Sequence, residues 1–124
     1  MSKETLFGRR LRQLRDHLGV TQGHLGAEIL GWEPAWGAAI RINKYEKGVR
    51  TPAFANAVRL ADKLGIPTSF FYEQRSDLAD LVMVAHKLDA SRLKGLVEQL
   101  RHEVGGDGYP PPLAELCETP TETN

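Results

Sequence analysis

The chain has 124 residues, of which 41% are hydrophobic and 26% charged, a composition typical of one compact soluble domain with an appendage. No apolar run approaches the roughly 18 residues that a membrane span needs, and the first residues lack the apolar segment of a signal peptide. The single cysteine, Cys117, excludes an intrachain disulfide. We therefore expect a cytoplasmic protein without membrane contact.

The formal net charge of zero hides an uneven distribution. Residues 1–75 hold 12 Lys/Arg against 7 Asp/Glu, whereas residues 76–124 hold 4 against 9. Basic residues concentrate in the first 15 positions and again between Arg41 and Arg50. A basic half beside an acidic half favours contact of one end with a polyanion, although charge runs also occur on ordinary solvated faces.

Short helices are predicted along the basic half, and no segment alternates as a strand would. The apolar spacing of residues 7–18 predicts a first helix that ends at Gly19. Thr21 is expected to cap a second, short helix. Pro34 suits the first turn of a third helix, which ends at Gly48.

A fourth helix is predicted to start at Thr51-Pro52 and to end at Gly65. Thr68 can cap a single helical turn after it. Together these elements define a first domain over residues 1–75, made of five short helices.

Beyond Gln74 the pattern changes to two amphipathic helices, which Ser76 and Asp89 can cap. They predict an αα-hairpin over residues 76–104. Gly, Pro, Thr and Glu dominate residues 105–124, which favours a disordered tail. The expected fold class is all-α.

Four stretches carry a more specific signal. They are LRQLRDHLGVTQ at 11–22, LG at 25–26, RINKYEKGVRTP at 41–52 and RLADKLGIPTSFFY at 59–72. In this order they resemble the lambda-repressor-like, Cro-type (XRE) helix-turn-helix regulators, and the resemblance covers about half of the chain. The spacing from Gln22 to Tyr45 is longer than usual in that family, with extra residues around GWEPAW. This resembles a subgroup with a longer linker between the second and third helices.

The resemblance implies that the third helix reads DNA in the major groove. Its base-side positions are then Ala39, Ile40, Arg41, Asn43 and Lys44, and its phosphate contacts are Gln22 and Lys47. Arginine pairs with guanine and asparagine with adenine. Asn43 has an alternative role in a local hydrogen bond, and Gln22 one as a helix N-terminal residue. Trp32 and Trp36 are expected to pack the longer linker.

The family position of Arg15 and Glu46 implies a buried ion pair that joins the first helix to the end of the third. Such a pair is costly to desolvate and mainly structural. We therefore assign it to the orientation of the helices and not to DNA reading.

The predicted hairpin must bury its apolar faces, and dimers engage two half-sites roughly 34 Å apart. We expect a homodimer on operator DNA. The residues assigned to its interface are Leu81, Val82, Leu96, Val97 and Leu100.

An enzyme is not expected. The four histidines show no metal-ligand spacing, no phosphate-binding glycine motif is present, and Cys117 lies in the predicted tail. We expect no metal, cofactor or catalytic residue. The function that follows is a transcriptional regulator, most simply a repressor. The alternative is an antitoxin or antirepressor that binds a protein partner, with DNA binding secondary, and the acidic tail 113–124 favours that reading.

Overall fold

The computed structural model describes residues 4–105, and in this range the chain is all-α, as the sequence predicts. Five α-helices and two short helical segments follow one another. They are α1 (Leu6–Leu18), a π-helical segment (His24–Ile29), α2 (Ala35–Glu46), α3 (Phe54–Leu64), a 3-10 segment (Thr68–Tyr72), α4 (Ser76–Ala85) and α5 (Ala90–Glu103). The predicted disordered tail lies, except for Gly105, outside the described residues.

Several predicted helix ends are confirmed, because they depend on local chemistry. Gly19 and Gly65 take the left-handed conformation that glycine tolerates, and they end α1 and α3. The Thr21 hydroxyl accepts the backbone N–H of His24 at 3.0 Å. The Asp89 carboxylate likewise accepts the N–H of Arg92, which starts α5.

Other predicted ends are wrong. The N-cap of the 3-10 segment is Pro67 and not Thr68, and that of α4 is Arg75 and not Ser76. Pro67 and Arg75 make no side-chain capping hydrogen bond. The fourth predicted helix begins at Phe54, later than Thr51-Pro52, after an extended Ala53. A hydroxyl next to a turn marks a possible cap, but the surrounding packing decides which residue takes the extended conformation.

The core lies between α1, the π-helical segment, α2, α3 and the 3-10 segment. Leu11, Leu25, Ile42 and Phe71 are its fully buried large side chains. The rings of Phe7 and Phe71 stack with centroids 4.5 Å apart. Burial of these apolar side chains stabilises the fold and holds α2 in position.

The described chain divides into two compact units, residues 4–87 and 88–105. Both helices expected beyond Gln74 are present. α4 belongs to the first unit, packs against the 3-10 segment and buries Ala79. α5 belongs to the second unit and contains no buried residue.

Arg10 is one of the basic residues near the start of the chain, and it is buried. Its guanidinium donates to the backbone carbonyl oxygens of Glu73 and Gln74 and to the side-chain oxygen of Gln13. Because these bonds occupy its donors, Arg10 fastens α1 to the segment that leads into α4. It does not belong to the charge available to a polyanion.

Candidate nucleic-acid interface

Helix α2 has an apolar side and a polar side. Ala38, Ile42 and Tyr45 are buried in the core, at the spacing of one helical face. Arg41 and Lys44 lie on the other side and are exposed to solvent. This is the arrangement that a helix needs to pack on a bracing segment and to reach a groove at the same time.

The π-helical segment His24–Ile29, called the bracing segment below, approaches α2 closely at Gly26. A Cβ atom built on Gly26 would lie 2.9 Å from the Cβ of Ala38 and 3.0 Å from its carbonyl oxygen. Two residues without larger side chains therefore allow the π-helical segment and α2 to touch. The linker that follows is tied back to this segment, because the backbone N–H of Trp32 donates to the Gly26 carbonyl at 2.9 Å.

Arg15 and Glu46 form a two-pronged ion pair between α1 and the last residue of α2. The Arg15 Nε lies 2.6 Å from Glu46 Oε2 and its Nη2 lies 3.1 Å from Oε1. Glu46 is buried, and Arg15 also donates to the Val20 carbonyl. The hydrogen bond to Glu46 raises the pKa of the Arg15 guanidinium above its ordinary value. The pair therefore fixes the direction of α2 relative to α1.

Gln22 extends this pair toward the polar side of α2. Its side-chain nitrogen donates to Glu46 Oε1 at 3.0 Å, and its side-chain oxygen accepts from Asn43 at 3.5 Å. Gln22, Asn43 and Glu46 thus meet in one hydrogen-bonded group. A buried carboxylate can accept more hydrogen bonds than one arginine donates to it, so a further donor was to be expected near Glu46. The sequence did not show which residue supplies that donor.

Arg41 lies over the ring of Trp32. The guanidinium carbon is 3.8 Å from the ring centroid, which is a close cation–π contact. Trp32 also meets Tyr45 edge to face, with centroids 6.4 Å apart. The expectation that Trp32 packs the linker is confirmed, whereas Trp36 is 73% exposed and packs nothing in that way. Sequence reasoning missed the stack, because it depends on how the linker folds back.

Lys44, Lys47 and Arg50 are exposed along the end of α2 and the turn after it. Together with Arg41, they have no carboxylate within ion-pair distance in residues 4–105. Their charge is therefore available to an external anion. At the base-side positions that remain, Ile40 is 46% exposed and Ala39 is half-buried.

The five residues assigned to dimerisation fall on both units. Leu81 is 42% exposed on α4, whereas Val82 packs against the core of the first unit. On α5, Val97 and Leu100 are exposed and Leu96 is half-buried.

No group of three or more His, Cys, Asp or Glu side chains in the described part of the chain is placed to hold a metal ion. No helix there is long and apolar enough to cross a membrane.

The chain matches no protein-family model. It also matches no curated protein sequence. Among solved structures, it is similar to the crystal structure of the transcriptional regulator BswR, with 26% sequence identity and a TM-score of 0.66. The match covers 77% of this chain and 92% of that one. The similarity therefore extends over about three quarters of this chain and nearly all of the neighbour.

Proposed function

We propose that this protein is a sequence-specific DNA-binding transcriptional regulator that acts as a repressor and reads operator half-sites as a homodimer. Within the lambda-repressor-like, Cro-type (XRE) regulators, it would belong to the subgroup with a longer linker between the second and third helices. The observation that carries the proposal is the polar side of α2. It presents Arg41 and Lys44 without anionic partners, on a helix that a buried ion pair holds in place.

The chemistry of this surface suits DNA. The forked guanidinium of Arg41 matches the O6 and N7 acceptors of guanine in the major groove. Lys47, at the C-cap of α2, and Arg50, shortly after it, suit DNA phosphates, which position a protein without carrying sequence information. The structural similarity to a transcriptional regulator supports the same assignment.

The dimer is supported by α5. The large apolar side chains Leu93, Val97 and Leu100 of α5, and Val104 at its C-cap, are all more than a third exposed. They follow one another at helical spacing, and exposed apolar stripes of this kind mark association surfaces. A second copy of the same helix would cover them by a two-fold contact.

The test is selection of bound sequences from a random pool of duplexes with the full-length protein. We expect a two-fold symmetric consensus, with bound half-sites roughly 34 Å apart. Affinity for the selected duplex should exceed affinity for random duplex by about a thousandfold or more, and both should fall as salt rises. Recovery of no consensus, with equal affinity for all duplexes, would refute sequence-specific reading.

A further inference from the structure

We propose that Trp32, in the linker, is a specificity-determining residue that positions Arg41 for base reading. The inference rests on the proposed function and deepens it. It makes the longer linker a part of the reading surface, because one of its side chains sets the direction of the arginine.

The stack uses the face of the guanidinium and leaves its edge free. The Arg41 guanidinium carbon lies 3.8 Å from the Trp32 ring centroid. The N–H donors of arginine point outward in the plane of the group. No carboxylate in the described range pairs with them. The arginine is thus held by one surface while its hydrogen-bonding fork remains available to a base.

Trp32 is itself fixed. Its indole meets the Tyr45 ring at an interplanar angle of 73°, and its backbone N–H donates to the Gly26 carbonyl. It packs against the hydrophobic core. The backbone of Trp32 is therefore held by the bracing segment, and its side chain is held by α2. A fixed platform gives Arg41 a preferred direction, which an exposed arginine otherwise lacks.

Holding one rotamer before binding reduces the ordering cost at the interface. A cation–π contact at an exposed site has a strength that corresponds to about a 2- to 5-fold change in an equilibrium constant. Because Arg41 is assigned to a base, this factor should appear in the affinity for the cognate duplex and not in that for random duplex.

The experiment measures the ratio of cognate to random affinity, using the duplex that the full-length wild type selects. Trp32→Leu removes the aromatic face and should lower this ratio about 2- to 5-fold. Trp32→Phe retains an aromatic ring, so its ratio of cognate to random affinity should lie between those of Trp32→Leu and the wild type. Trp36→Leu is the matched control, because Trp36 lies in the same linker and is 73% exposed. Its ratio should equal that of the wild type.

A double-mutant cycle separates positioning from a merely structural effect. In an Arg41→Ala background, Trp32→Leu should change the ratio no further, because the residue through which it acts is absent. An equal loss in both backgrounds, or an equal loss of cognate and random affinity, would overturn the inference.

Two further outcomes are distinguishable. If Trp32→Leu does not fold, as judged by its thermal melt, Trp32→Met replaces it, since methionine fills irregular apolar space without a ring. The same loss of ratio is expected. If the wild type selects no duplex, the proposed function and this inference both fail. If the wild type selects one and the folded Trp32 variant keeps its full ratio, only this inference fails.

Discussion

Glu46 is the residue on which the geometry of the candidate interface depends. It accepts two hydrogen bonds from Arg15 on α1 and one from Gln22, before the bracing segment. Because it ends α2, its carboxylate links two other parts of the chain, α1 and the segment that holds Gln22, to the helix assigned to DNA reading. A buried carboxylate with three donors is well compensated, and loss of its charge leaves Arg15 without its partner.

Glu46→Gln should therefore lower the free energy of unfolding by about 3 kcal/mol, since breaking a buried pair leaves an uncompensated charge. Urea denaturation of the full chain measures the change. Arg15→Met combined with Glu46→Leu should recover much of the loss. Asp77→Asn, which breaks the exposed Arg75–Asp77 pair, is the control and should leave the denaturation midpoint unchanged. An unchanged midpoint for Glu46→Gln would contradict the structural role of the pair.

Arg41 and Lys47 differ in the role assigned to them. Arg41→Ala should cost about 1–3 kcal/mol of binding free energy at the selected duplex and relax preference at one base pair. Lys47→Ala should weaken selected and random duplexes alike, because a phosphate contact carries no sequence information. Fluorescence anisotropy titrations with both duplexes compare the two variants. If Arg41→Ala reduced both affinities by the same factor, Arg41 would be a phosphate contact.

For single residues, the sequence predicted which side chains matter better than it predicted which contacts they make. The resemblance to known regulators pointed to Arg15 and Glu46 as a pair, and the structure places them in contact. It gave no access to the Gln22 link or to the Trp32–Arg41 stack. Those contacts depend on how the linker folds back onto α2, and the spacing of residues along a chain does not encode that path.

At the scale of helices, the close contacts occur where side chains are absent. A Cβ atom on Gly8 of α1 would overlap the Tyr45 carbonyl oxygen and lie 2.7 Å from that of Glu46. These are backbone atoms at the end of α2, so they cannot move without moving the helix. Gly8 is therefore required for the approach of α1 to the end of α2.

Gly8→Ala should destabilise the first unit by about 2 kcal/mol or more, because overpacking forces the backbone to shift. Gly37→Ala is the control. A Cβ there would meet Pro34 at 3.6 Å, an ordinary contact, and alanine favours helix formation. Its thermal midpoint should equal or exceed that of the wild type. A Gly8→Ala chain as stable as the wild type would show that the two helices do not approach so closely.

Helix ends illustrate why element boundaries were predicted unevenly. Gly19 and Gly65 end their helices because only a residue without Cβ takes the left-handed conformation cheaply. Thr68 and Ser76 had suitable side chains, but the chain enters both helices through an earlier residue. The entry of α4 follows Arg75, next to the Glu73 and Gln74 carbonyls that Arg10 holds. A local sequence pattern does not reveal these hydrogen bonds, because Arg10 lies more than 60 residues away along the chain.

For the whole molecule, the division into two units separates α4 from α5, the helix proposed to form the dimer. Ala79 of α4 is buried in the first unit, so a fragment that ends at Gln74 lacks part of that core. Point substitutions on α5 test the dimer without this loss, because none of the residues of α5 is buried. They are expected to change association without loss of the fold that carries the candidate interface.

Leu100→Glu should shift the full-length protein from dimer to monomer at micromolar concentration. Leu100 is 39% exposed in one chain, and burial of a leucine contributes about 1.5–3 kcal/mol. A symmetric interface loses this contribution twice, so the dissociation constant should rise about a hundredfold or more. Sedimentation equilibrium measures it. Gln99→Glu introduces the same charge at the adjacent, exposed position and should leave the dimer intact.

The same variant links assembly to DNA reading. A monomer retains the cations of α2, so salt-sensitive binding to random duplex should persist for Leu100→Glu. Affinity for the selected duplex should fall steeply, because the two half-sites are no longer bound by linked domains. If Leu100→Glu remained dimeric and kept its operator affinity, the two-fold contact would have to lie elsewhere, and the exposed face of α5 would be free for a different protein partner.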